Sequence, residues 1–140
     1  MKRFNTNKLL VSVTVIAVAA LTYSFTSGID QDEWVVPAKY LSMENPTDAS
    51  DSEDMSIGKS LYMQHCKSCH GKEGLGDGPK SEELDTPSGD FSTSEFQAQP
   101  DGALFYKIKE GRDDMPSFAK KIPDDEDIWL IVNFVKTLEE

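Results

Sequence analysis

The sequence predicts an all-α fold, several helices packed around one covalently bound prosthetic group. Three observations point there. Near the C-terminus Ile128, Ile131, Val132, Val135 and Leu138 recur at the three- and four-residue spacing of an amphipathic helix. The segments around Cys66 and Cys69 are helical or glycine-rich and lack the Val/Ile-rich pattern of parallel strands. The pentapeptide Cys66-Lys67-Ser68-Cys69-His70 reads C-x-x-C-H, the attachment signature of a c-type haem. Two thiols three residues apart can add to the two vinyl groups of one haem. The imidazole of His70 then lies one turn of chain away, placed to become the proximal iron ligand.

Other uses of these residues fit less well. A structural zinc site draws four N or S ligands, usually from two separated pairs. Here Cys66, Cys69, His65 and His70 are the only thiols and imidazoles, all within six consecutive residues, too short a run to close a tetrahedron. A thioredoxin-like redox pair belongs in a βαβ context that is missing here, and a plain disulfide agrees with fewer features of the chain than haem attachment does.

The N-terminus carries Lys2, Arg3 and Lys8, then an apolar run from Leu9 to Leu21, and no acid before Asp30. Residues 1–28 read as a secretory signal peptide, with Ala17-Val18-Ala19 as a small-x-small cleavage site or Thr26-Ser27-Gly28 as the end of a longer c-region. The competing reading is an N-terminal membrane anchor, because residues 9–29 carry no charge and are long enough to span a bilayer. Both readings place the rest of the chain across the membrane. No cysteine near the leader is available for lipidation.

The whole chain has a formal net charge of −11, and removing the three basic residues of the leader leaves −14. Such a balance argues against nucleic acid or anionic lipid as a partner and favours a basic protein surface. Residues 29–54 hold eight acids and one lysine, together with Pro37 and Pro46, and read as an extended, self-repelling acidic linker. Within it the apolar cluster Trp34-Val35-Val36-Pro37 is expected to dock on the domain's own surface, on a partner subunit or on the membrane surface.

Residues 55–140 form the expected domain. A chain of this size has a modest core, so a covalent haem would act as a staple. A first helix is expected over about 55–69, capped by Asp54 or Ser56, with Ile57, Leu61 and Tyr62 or Met63 on its apolar face and Gly58 at a close helix crossing. The run Gly71-Lys72-Glu73-Gly74-Leu75-Gly76-Asp77-Gly78-Pro79 forbids a helix and suits a loop around the haem edge. Pro79 is the expected carbonyl partner of the second His70 nitrogen. A short helix follows over about 102–110, stopped by Gly111. The last helix starts after Pro123, with Asp124, Asp125, Glu126 and Asp127 at its positive dipole end.

Between those two helices lies Arg112-Asp113-Asp114-Met115-Pro116-Ser117-Phe118. Met115, a loop methionine before proline and well downstream of the haem motif, is the expected sixth iron ligand. Met1, Met43, Met55 and Met63 fit worse by position, and the rival imidazole His65 directly precedes Cys66.

This pattern resembles a bacterial, single-haem class I c-type cytochrome. The matching elements are Gly58 and Tyr62, CKSCHG at 66–71, GLGDGP at 74–79, GRDDMPSF at 111–118 and DIWLIVNFVKTL at 127–138. The resemblance implies a small cytochrome c fold with its first and last helices crossing, Phe134 opposite Gly58 and Tyr62, and His70 and Met115 as iron ligands. Asp113 and Asp114 depart from the glycine often found before the methionine. The implied function is electron transfer by a carrier or a respiratory-complex subunit, not an enzyme in itself. It would sit in the periplasm or on the outer face of a bacterial inner membrane, tethered there if residues 9–29 stay in the bilayer. The partners are then redox proteins, an electron donor and an acceptor, with no nucleic acid. The cofactor is one covalent haem c with its iron. Lys67, Lys72, Arg112, Lys120 and Lys121 flank the haem motif and the Met115 segment in sequence, and read either as a less acidic docking rim or as ordinary solvated charge. The alternative is a catalytic or gas-sensing haem module with a displaceable Met115.

Overall fold

The computed structural model describes residues 34–139. The leader, with its cleavage site and its spanning run, lies outside the described residues. From Val35 onward the chain is one compact unit. It contains α1 (Ala38–Leu41), α2 (Ser52–His65), α3 (Lys67–His70), a 3₁₀ turn at Ser81–Glu83, α4 (Ser94–Gln97), α5 (Asp101–Glu110) and α6 (Asp125–Lys136). Among the described residues the one β-type pairing is an isolated bridge between Arg112 and Met115.

Helix α2 begins three residues earlier than expected because Asp51, not Asp54 or Ser56, caps it. The Asp51 carboxylate accepts hydrogen bonds from the amides of Glu53 and Asp54, satisfying two donors that the first turn leaves open. The helix ends at His65, and Cys66 starts the separate turn α3. Asp124 caps α6 in the same way, accepting from the amide of Glu126.

The core forms where α2 and α6 cross. Ile128, Ile131 and Val132 are fully enclosed on α6, and Tyr62 on α2. Gly58 sits at the closest approach. A Cβ there would overlap the Leu130 carbonyl oxygen and lie 2.6 Å from its carbon, so the helices meet backbone to backbone. One turn on, Tyr62 and Phe134 pack with ring centroids 5.1 Å apart. Helix α5 closes the core from the side, with Phe105 stacked on Trp129 at 4.3 Å.

The acidic stretch expected to run extended is folded against the domain from Pro37 to Asp51. Tyr40 of α1 packs on Tyr106 and Phe105 of α5 at 4.7 and 6.3 Å. Asn45 donates to the Asn133 side-chain carbonyl at 2.6 Å, and Asn133 donates to the Thr47 hydroxyl at 2.9 Å. Negative charge favours an extended chain, but one half-buried aromatic, Tyr40, and a paired amide outweigh it locally. Val35 itself is 81% exposed.

Candidate functional site

Helix α3 is a single turn, and its geometry follows from residue spacing. The amides of Cys69 and His70 both reach the Cys66 carbonyl, at 3.2 and 3.0 Å. Residues three and four apart on a helical turn share one face, so Cys66, Cys69 and His70 are presented together. Both cysteines are free thiols. Burial, reinforced by the neighbouring Cys69, pushes the Cys66 thiol up to about 12.

The glycine-rich loop folds back over this turn. Gly76 donates to the His70 carbonyl at 2.9 Å, Gly78 to Cys69 at 3.1 Å and Lys80 to Ser68 at 2.8 Å. These bonds satisfy carbonyls that a four-residue helix cannot satisfy itself. Gly78 is needed there because a Cβ would fall 2.5 Å from the Ser68 carbonyl oxygen. The Tyr62 hydroxyl adds a buried bond to the Gly71 carbonyl at 2.8 Å, and burial holds its ionisation far above the ordinary tyrosine range. The fully enclosed residue at the helix crossing thus also anchors the end of the haem motif.

His70 lies against Phe91, ring centroids 4.5 Å apart. The expected bond from its buried Nδ1 to the Pro79 carbonyl is not formed; the backbone carbonyl that acts on this imidazole is that of Ser88. Burial lowers the imidazole's affinity for a second proton, and the backbone carbonyl of Ser88 partly offsets this.

Met115 sits in a tight reverse turn. Its amide donates to the Arg112 carbonyl at 2.9 Å, and the Arg112 amide returns a bond to the Met115 carbonyl at 2.8 Å. Asp113 occupies the left-handed region at φ 51, a conformation that Asp tolerates better than most residues. The Asp114 carboxylate accepts from the Thr86 amide at 2.9 Å, joining the methionine turn to the loop that leads to Phe91. Phe118 and Ser117 tie the following residues to the end of α5, through the carbonyls of Ile108 and Lys109. The Met115 side chain is half-buried and packs against the same core as Cys66 and Phe91. Of the expected cationic rim, Lys72 pairs with Glu73 at 3.1 Å and Arg112 with Asp113 at 3.0 Å.

The donor set suits a haem iron. Two free thiols on one helical face stand next to an imidazole, and a thioether packs on the same core. Among the described residues no three His, Cys, Asp or Glu side chains gather as a site for a simple metal ion. The sequence reading missed Phe91, Gln97 and the Asp114–Thr86 bond. Phe91 and Phe96 stand out as aromatics in a polar stretch, but nothing in their spacing assigns them to the histidine.

Residues 53–135 match the family described as cytochrome c oxidase, cbb3-type, subunit III. The chain belongs to this family. It is a class I c-type cytochrome, it carries covalent haem c with its iron, and it takes part in haem-based electron transfer. Among solved structures, it is similar to a chain of the Kuenenia stuttgartiensis reducing HAO-like protein complex Kustc0457/Kustc0458, with TM-score 0.58 and 26% identity. That match covers 79% of this cytochrome and 55% of the other chain, so the cytochrome spans about half of that relative's length. A second similar structure is the KustC0563 c-type cytochrome, with TM-score 0.51 and 31% identity, over 59% of this chain and 98% of that one. No curated protein matches in sequence.

Proposed function

We propose that this cytochrome is a single-haem electron-transfer unit, joined to its haem through Cys66 and Cys69, with His70 and Met115 as axial ligands. When bound, the haem supplies a reversible one-electron iron couple. The chain's own residues hold and enclose it. The α3 turn presents the two thiols and the imidazole on one face, and the glycine-rich loop locks that turn by three backbone bonds. The Arg112–Met115 turn fixes the backbone that carries the thioether. Filling both axial positions leaves no site for substrate and raises the potential, as in other His/Met cytochromes.

The observation that carries this reading is the packing of Cys66 and Met115 on one core, although they stand 49 positions apart in sequence. Residues 1–28 then deliver the domain across a bacterial inner membrane, as a cleaved signal or as an anchor, and it works on the periplasmic side. The partners are a protein electron donor and a protein acceptor. Similarity to a chain of a HAO-like complex, and membership of an oxidase-subunit family, support a place as a subunit of a larger redox assembly.

The test is spectroscopic. The oxidised protein should show the weak near-infrared Met–Fe(III) charge-transfer band and lose it in Met115→Leu. The pair Cys66→Ala and Cys69→Ala should abolish haem that survives denaturation. A high-spin ferric spectrum, together with rapid CO binding by the reduced protein, would overturn the carrier reading in favour of a catalytic or sensing haem.

A further inference from the structure

We propose that Gly111 is a positioning residue for Met115: the backbone of the methionine segment is seated against its bare Cα, and a side chain there would displace the thioether. This rests on the reading of Met115 as an axial ligand. Gly111 first reads as a helix stop, since its amide donates to the Lys107 carbonyl at 3.0 Å and its backbone is left-handed, at φ 70. Stopping a helix does not require the space beside the glycine to be filled. Here it is filled. A Cβ on Gly111 would fall 2.5 Å from the Met115 carbonyl oxygen, the Pro116 carbonyl carbon and the Ser117 amide nitrogen alike. All three atoms are main chain, and they belong to the peptide units that directly follow the methionine side chain.

Hydrogen bonds bring the segment to this position. The Met115 carbonyl accepts from the Arg112 amide at 2.8 Å, and the Ser117 hydroxyl donates to the Lys109 carbonyl at 2.7 Å. The amides of Phe118 and Ala119 donate to the carbonyls of Ile108 and Lys109, each at 3.3 Å. Residues 115–119 are thus drawn onto the last turn of α5. That helix is fixed in the core through Leu104, Phe105 and Ile108, so under an added Cβ the loop yields and the helix does not. To reach 3.4 Å, where ordinary contact begins, the Met115 backbone would retreat by about 0.9 Å. A ligand constellation works only within about 0.5 Å of its proper geometry. The overlap exceeds that tolerance.

The holoprotein tests this with a matched pair of variants. Gly111→Asn adds the Cβ and supplies a residue that enters the left-handed region more readily than most. Gly89→Asn makes the same exchange at φ 73, where an added Cβ meets nothing within 4 Å. In Gly111→Asn the near-infrared Met–Fe(III) band should be lost, and the reduced form should bind CO. Both changes should appear well below the unfolding midpoint, with covalent haem and native far-UV circular dichroism. Gly89→Asn should keep the band and bind CO no better than wild type. A Gly111→Asn protein that unfolds at lower temperature yet keeps the full band has lost a helix stop only, which overturns the proposal. Loss of the band in both variants traces the effect to backbone strain and overturns it as well. So does a Gly111→Asn chain that attaches haem but lacks native helix content. A wild-type protein without the band removes the axial assignment and this inference together.

Discussion

Replacing Gly58 by alanine tests the crossing on which the site is built. An added Cβ would overlap the Leu130 carbonyl oxygen and approach its carbon to 2.6 Å. The obstacle is main chain, so no side chain can swing aside, and α2 and α6 must part by roughly 1 Å to restore ordinary contact. Overpacking of this kind costs about 1–3 kcal/mol. The Tyr62–Phe134 pair lies one turn along both helices, and spreading them forfeits part of its about 0.5–1.5 kcal/mol. Against this, alanine is the better helix former by about 1 kcal/mol. The net expectation is a loss of about 2 kcal/mol, which for a domain of this size lowers Tm by about 10 °C. Thermal unfolding of the holoprotein followed by far-UV circular dichroism measures it. A Tm for Gly58→Ala equal to or above wild type would falsify the backbone-to-backbone account of the crossing.

Three further outcomes follow from the same contacts. Tyr62→Phe should cost about 1–2 kcal/mol near neutral pH, because the buried Gly71 carbonyl loses its donor. Tyr62 ionises far more easily in the unfolded chain than in the folded one, so its contribution is intact below pH about 10 and is lost as pH rises above that value. Denaturant titrations above pH 10 should therefore fall less steeply in Tyr62→Phe than in wild type. Asp114→Ala should speed hydrogen exchange of the Thr86 amide about five-fold, as loss of about 1 kcal/mol implies, and Asp114→Asn should restore part of the protection. Equal exchange in all three proteins would show that the bond does not hold the methionine turn. Asn133→Leu removes both side-chain bonds to the N-terminal strap, so limited proteolysis should cut within residues 37–51 sooner, while cleavage elsewhere is unchanged.

The haem motif was legible in the sequence because its chemistry is local. The spacing of Cys66, Cys69 and His70 sets their common face through one helical turn, and no distant contact is needed to read it. The apolar recurrence from Ile128 to Leu138 marked the core helix for the same reason, since periodicity records which face is buried. Gly58 was readable as a crossing glycine, although its partner Leu130 was not. The start of α2 was misplaced because Ser, Asp and Glu around residues 51–56 offer several competing caps, and only the backbone path selects Asp51.

The rest was decided by tertiary structure. Composition made residues 29–54 a self-repelling linker, yet Tyr40 and Asn45 find partners on α5 and α6 far along the chain, and those contacts fold the strap. Pro79 was the local choice for the partner of His70, but the packing brings Phe91 against the ring and the Ser88 backbone, not Pro79, to the imidazole. By itself the sequence determined that one haem is attached, and where, because covalent attachment depends on residue type and spacing within five positions. What surrounds the ligands depends on how loops 71–90 and 111–118 return to the α2–α6 crossing. Burial and long-range hydrogen bonds set that return, and neither has a short-range signature.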